Sequence, residues 1–180
     1  MRSIMLFALI LITACGSASQ PRVHTSPTYQ FTIPSNWQTM AELWGSEYQK
    51  GKEYNQLGVM QEVMITSVRQ RGEFGAWFAV ASAPLPAGKS LEQTYRAAYA
   101  SHKAQFRKVS EETTSVAGSA GFAMIYQRPS GEPWWQYRDV WLDHDGVVYV
   151  LSIHYLPGHD MDYQQAYDQM IGSFGWQATQ

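Results

Sequence analysis

Cysteine is nearly absent from this chain: its 180 residues include one, Cys15. A lone cysteine makes no disulfide within its own chain, so the folded domain has to be held by its core. Basic runs are missing as well. Thirteen Lys and Arg stand against fifteen Asp and Glu, for a formal net charge of −2. With no Lys/Arg cluster to neutralise phosphates, nucleic acid is a poor partner. The apolar run at residues 4–12 makes a helix of roughly 14 Å, against a bilayer core of about 30 Å, so it is no permanent span. No internal repeat marks a solenoid or propeller. The serines lie in no Gly-x-Ser-x-Gly setting, and no His-x-His, His-Glu-x-x-His or EF-hand spacing occurs. Residues 118–121 carry neither the lysine nor the strand-to-helix setting of a phosphate loop.

What is present begins with an address. Arg2, the apolar stretch and the small residues Thr13 and Ala14 follow the order of a secretory leader. Ile12-Thr-Ala-Cys15 resembles the bacterial lipobox. That resemblance implies cleavage after Ala14 and a thioether-linked diacylglycerol on Cys15, usually with an acylated amino end. The membrane is then a partner through the lipid, and the expected location is the cell envelope, outside the cytoplasm. Each buried methylene contributes about 0.8 kcal/mol, so two or three chains hold far more firmly than one. Residues 16–26 are small, polar and proline-bearing, which reads as a tether. The expected division is a leader at 1–14, lipidated cysteine and tether at 15–27, and one domain at 28–180.

Along that domain, Tyr29 to Ile33 alternates apolar and polar residues and ends at Pro34, as a half-buried strand does. Residues 40–52 give no clear assignment. Leu57, Met60, Val63, Met64 and Val68 recur at three and four, which predicts an amphipathic helix over residues 54–68. Residues 76–81 form an apolar run suited to a buried strand. Ser90 and Gln93 make a capping box, and Leu91, Tyr95, Ala98, His102 and Phe106 share one face of the helix that follows. Strands are expected at 108–116, 121–127, 134–143 and 147–156, the last two joined by an Asp145-Gly146 hairpin turn. Asp160 or Asp162 is expected to cap a closing helix whose face is Tyr163, Tyr167, Met170, Ile171 and Phe174. Consecutive strands with short turns pair antiparallel and need helices to cover them, so the fold class is α+β, an antiparallel sheet flanked by helices.

Several phrases in this order are shared with a known family. Phe31-Thr-Ile-Pro-Ser-Asn-Trp37 resembles the opening strand of the PsbP-like superfamily, with its LpqN-type and DcrB-type lipoproteins. Ser90-Leu-Glu-Gln-Thr-Tyr95 is similar to its middle helix, and Gly118-Ser-Ala-Gly121-Phe to the turn before its central strands. Asp145-Gly146 with the strand at 147–153 resembles its last hairpin, and residues 166–174 its closing helix. The resemblance implies an antiparallel sandwich with a role in binding or assembly.

Candidate chemistry is sparse. Asp143, Asp145 and His154 belong to the densest set of metal-ligand types, joined by His144, His159, Asp160 and Asp162. Asp143 and Asp145 nevertheless suit a hairpin turn for backbone reasons, so no metal or other cofactor is assigned. His102 on an apolar helix face reads as a packed histidine before it reads as a catalytic one. On the strand at 134–142, Trp135, Tyr137, Asp139 and Trp141 share one face. Trp135, Tyr137 and Trp141 are the candidate ligand-binding residues, for an apolar or sugar ligand, against plain cross-strand packing. The expected function is a non-enzymatic, membrane-tethered binding or assembly module whose partner, a protein or a small ligand, the residues do not name. A small-ligand binder is the first alternative and a hydrolase the second.

Overall fold

The computed structural model describes residues 20–45, 52–54, 59–68, 74–100, 106–128 and 134–178. Its centre is an antiparallel sheet of eight strands: β3 (Trp37–Thr39), β4 (Lys52–Tyr54), β5 (Val59–Val68), β6 (Phe74–Pro84), β7 (Arg107–Val116), β8 (Ser119–Arg128), β9 (Trp135–His144) and β10 (Val147–Tyr155). The strand order is β3-β5-β6-β10-β9-β8-β7, with β4 pairing β5 beside β3. A small antiparallel sheet, β1 (Arg22–Thr25), β2 (Tyr29–Ile33) and β11 (Gly175–Trp176), has the order β1-β2-β11. Three described helices complete the fold: α1 (Met40–Trp44), α2 (Leu91–Ala100) and α3 (Asp160–Gly172). The α+β class, with an antiparallel sheet between helices, is as the sequence indicates.

Strand alternation divides the core into two. Val80, Val140, Leu142, Leu151 and Ile153 face α3 and the small sheet, where Phe31, Ile33, Met170 and Phe174 meet them. Ala79, Ala81, Met124, Trp141 and Val150 face the other way, toward Leu91, Tyr95 and Tyr99 of α2. The closing helix buries Tyr163, Tyr167 and Met170, the face its 3.6-residue period marks, and Phe174, expected on that face, follows the helix end and is buried beside it. Ser173 then accepts a hydrogen bond from the Thr32 amide at 2.9 Å, and the Trp176 indole donates to Ser119 Oγ at 3.0 Å. Both bonds fasten the chain end to distant strands.

Three expectations need correction. Within residues 54–68, where a helix is expected, Tyr54 ends β4 and Val59–Val68 form β5, while Leu57 lies outside the described residues. The register shift between Gln61 and Val63 adds a residue to β5, so Met60 and Val63, three apart, pair with Ser82 and Val80, two apart, and the apolar spacing mimics a helix; at the shift between Thr66 and Val68 the extra residue is on β6. Ile65 and Val63 point into the α3 core while Met64 packs on the α2 side, which only a strand achieves. Thr66 Oγ1 donates to the Ala76 carbonyl at 2.8 Å and Ser67 Oγ accepts from the Ala76 amide at 2.9 Å, pairing backbone groups beside the second bulge.

The segment expected as a tether, residues 15–27, contains a strand, β1. Arg22–Thr25 pairs with β2 in the register Arg22 to Ile33, and Ser26 closes the turn by accepting from the Tyr29 amide at 3.0 Å. Arg22 also pairs with Glu42, whose carboxylate completes a capping box with Thr39 at the start of α1. Finally, α3 begins at Asp160 with His159 at the cap position and no side-chain cap bond. Asp160 and Asp162 are the first and third residues of the helix, so neither stands at the cap position. Cys15 and His102 lie outside the described residues.

Candidate functional site

Period-two alternation in β9 sets Trp135, Tyr137, Asp139 and Trp141 on the side of α2, as the sequence indicates. The structure does not treat them alike. Trp141 is buried at 1% exposure beneath α2, with Tyr95 and Tyr99 ring centroids at 5.8 and 5.9 Å. Tyr137 is buried against Tyr126, stacked at 5.1 Å. Trp135, at the strand's start, stays half-buried.

Among these rings sits a polar centre that sequence reasoning assigned no role. Asp139 is 1% exposed and accepts three hydroxyl hydrogen bonds: from Tyr99 at 2.5 Å, from Tyr126 at 2.9 Å and from Ser152. The Trp141 indole N–H in turn donates to the Tyr99 oxygen at 3.1 Å. Burial pushes the Asp139 carboxyl above its usual range, while the three hydroxyl donors pull in the opposite direction. Taking a carboxyl out of water costs several kcal/mol unless hydrogen bonds replace the lost hydration, as the three hydroxyls do here. The signal was an acid between Tyr137 and Trp141 on one face of a core strand, with Tyr95 and Tyr99 one helical turn apart to cover it.

Beside this network, between α2 and the edge strand β7, lies an open groove of about 560 Å³. That size falls within the roughly 300–1,000 Å³ of small-ligand sites. Tyr99, Phe106 and Met124 form its floor, and Arg96, Lys108 and Glu111 its rim. Glu111 takes Lys108 at 2.8 Å and Arg96 at 3.3 Å, and the Lys108 hydrogen bond in particular holds its carboxyl below the usual range. Burial first, and the Glu111 charge second, push the Tyr95 hydroxyl upward. That hydroxyl is buried and, among the described residues, has no partner at hydrogen-bond distance. Tyr99, also raised by burial and by Asp139, stays neutral at physiological pH. The groove thus offers neutral aromatic surface and a paired charged rim, which suits binding better than proton transfer.

A second aromatic cluster lies on the same side of the sheet at its other end. His154 stacks between Trp77 at 5.2 Å and Tyr137 at 4.9 Å, with Trp135 edge-on at 5.6 Å. Burial lowers its pKa to about 3, with a smaller effect from Arg128, so the ring is neutral at physiological pH. Its Nδ1 is buried without a partner among the described residues. His154 is at the far end of β10 from Asp143 and Asp145. In the hairpin turn, Asp143 accepts from the Gly146 amide at 3.1 Å and Asp145 holds a φ of 52°. The structure therefore does not bring Asp143, Asp145 and His154 together. Turn chemistry accounts for both aspartates.

No protein-family model matches the chain, and no curated protein matches it either. Solved structures do. Cyanobacterial PsbP (CyanoP) from Synechocystis superposes with a TM-score of 0.60 at 16% identity, over 91% of this chain and 96% of that one. The chain has a PsbP-like fold. LpqN of Mycobacterium tuberculosis, described as involved in cell envelope biogenesis, matches at TM-score 0.58 and 12% identity, over 88% and 90%. The Ran-binding protein Mog1p of Saccharomyces cerevisiae matches at 0.52 and 11%, over 81% and 88%. At these identities the likeness is one of fold.

Proposed function

We propose that this chain is a non-enzymatic binding or assembly module, tethered to a membrane of the cell envelope through lipid on Cys15. The observation that carries the binding reading is the groove between α2 and β7, with its neutral aromatic floor and charged rim. Support comes from the company the fold keeps: one similar structure is described as Ran-binding and another as involved in cell envelope biogenesis. The tether reading rests on Ile12-Thr-Ala-Cys15. Two measurements test the pair. Alkyne fatty-acid labelling of cells should mark the wild type and not Cys15→Ser. Equal label on both would sink the tether. Crosslinking of the tethered protein followed by mass spectrometry should recover a partner that Ala100→Trp, which fills the groove, no longer recovers. Full retention by that variant would move the binding site elsewhere.

One observation favours a second reading, a small apolar or sugar ligand on the sheet face. Half-buried Trp77, Trp135 and His154 form a platform beside Arg128, whose guanidinium lies 5.9 Å from the Tyr137 ring centroid. Such a ligand would protect Trp135 from quenching, and Trp135→Ala would abolish the protection.

A further inference from the structure

The two ends of the large sheet are finished differently. At one end β5 is capped by two strands of three residues each, β3 and β4. At the other end stands β7, ten residues long and exposed over most of its length. No described strand pairs with its outer edge. A long unpaired edge carries a row of free N–H and C=O groups, and proteins protect such edges with charges and bulges. Here the protection is local: β7 has a bulge between Lys108 and Ser110, after which Ser110 to Val116 runs in unbroken register with β8. The charge at the centre of that regular stretch, Glu112, is exposed and forms no ion pair among the described residues.

We propose that β7 receives an extended segment of a protein partner as a ninth, antiparallel strand, which places a large apolar side chain in the α2–β7 groove and a Lys or Arg opposite Glu112. This rests on the binding reading above and adds the mode and the pattern. Backbone pairing at an edge supplies affinity, and pockets for alternate side chains supply specificity. The side chains tell the same story. Glu111 pairs with Met124 and so lies on the groove side, whereas Glu112 pairs with Ala123 and lies on the opposite face. In an antiparallel partner the residue opposite Glu112 comes one position before the residue opposite Glu111. The motif is therefore a basic residue followed directly by an apolar one, within an otherwise extended segment. The basic side chain meets the Glu112 carboxylate, which has no ion pair among the described residues, and the apolar one stands at the mouth of the groove.

The probe is the fluorescein-labelled peptide Thr-Thr-Lys-Phe-Thr-Thr-Thr, titrated against the purified full chain by anisotropy. Saturable one-to-one binding is expected, weakened about tenfold or more by Lys→Glu in the peptide and by Ala100→Trp in the protein. Glu112→Lys should reverse the preference, binding the Glu peptide and not the Lys peptide. The position is exposed, and circular dichroism of the variant checks that it folds. A peptide N-methylated at alternate residues keeps its side chains but loses donors on one edge, and should not bind. Retained binding of that peptide, with loss in Ala100→Trp, overturns strand addition while leaving the groove a binding site. Unchanged binding in Ala100→Trp and Glu112→Lys, or no binding of any peptide, overturns the proposal. Concentration-dependent dimerisation that Glu112→Lys abolishes would also overturn it, by assigning the edge to a second copy.

Discussion

The two faces of the large sheet are built to different specifications. Toward α3 and the small sheet the packing is apolar and aromatic: Phe31, Ile33, Leu151, Ile153 and Met170 are at or below 1% exposure. Toward α2 the same sheet carries a buried carboxyl, three hydroxyls that bond it, an open groove and half-buried rings. Dry packing stabilises in proportion to the apolar area removed from water. A buried polar network contributes less and specifies geometry more. The difference teaches where stability resides: the α3 face holds the domain together, and the α2 face carries the groove on which the proposed binding rests.

The sharpest way to break that contrast is Phe174→Ala. Phe174 stacks on Tyr29 at 5.3 Å and is 5% exposed. The substitution should cost roughly 3–5 kcal/mol and move the whole domain in one cooperative transition, despite its place near the chain end. Urea unfolding followed by tryptophan fluorescence and far-UV circular dichroism reports both. An unchanged midpoint would mean that α3 does not carry the stable face.

Gly121→Ala probes the sheet that both faces share. An added Cβ would stand 2.1 Å from the Trp141 carbonyl oxygen and 2.8 Å from Leu142 Cδ2. The backbone contact cannot yield as a side chain tip would, so a loss of roughly 1–3 kcal/mol or more is expected. Thermal melts against Gly172→Ala, a position where nothing lies within 4 Å, supply the control.

On the α2 face, Ser90→Ala removes the Oγ that accepts from the Gln93 amide at 3.2 Å and leaves the backbone half of the capping box, Ser90 N–H to Gln93 Oε1 at 3.0 Å. The expected cost is about 1 kcal/mol. Hydrogen exchange should rise in α2 first while α3 stays protected, which would separate the two faces directly.

The smallest effect is one of pH. The Asp139 carboxyl titrates above its usual range because it is buried, so the folded state binds its proton more tightly than the unfolded chain does. Stability is then highest below the ordinary carboxyl value near 4, falls as pH rises toward the raised folded value, and levels off above it. Asp139→Asn should flatten that part of the curve in urea titrations across the acid range, whereas Asp145→Asn, at an exposed turn, should leave it in place.

Local rules made most of the fold legible. The Ser90–Gln93 capping box, the Asp145-Gly146 hairpin and the closing-helix face of Tyr163, Tyr167 and Met170 stand as read, because capping, turn geometry and a 3.6-residue stripe depend on neighbours in the chain. Residues 59–68 were misread for an equally physical reason. A bulge between Gln61 and Val63 displaced the apolar phase, and bulges are set by pairing with the partner strand. Of the site, the parity of Trp135, Tyr137, Asp139 and Trp141 was legible. Which of them stay accessible was not, because α2 covers one end of that face and not the other.

What the amino-acid order determined by itself was therefore everything that neighbours decide: the lipobox-like Ile12-Thr-Ala-Cys15, the caps and turns, the helix faces, and the alternation that sorts β9 between two cores. Tertiary structure alone decided what depends on residues far apart in the chain. It brought Tyr99, Tyr126 and Ser152 to Asp139, separated His154 from Asp143 and Asp145 by the length of β10, and left β7 at an edge with a groove beside it. The physical reason is that pairing order and long-range packing follow from the free energy of the whole fold, which no short window of sequence contains.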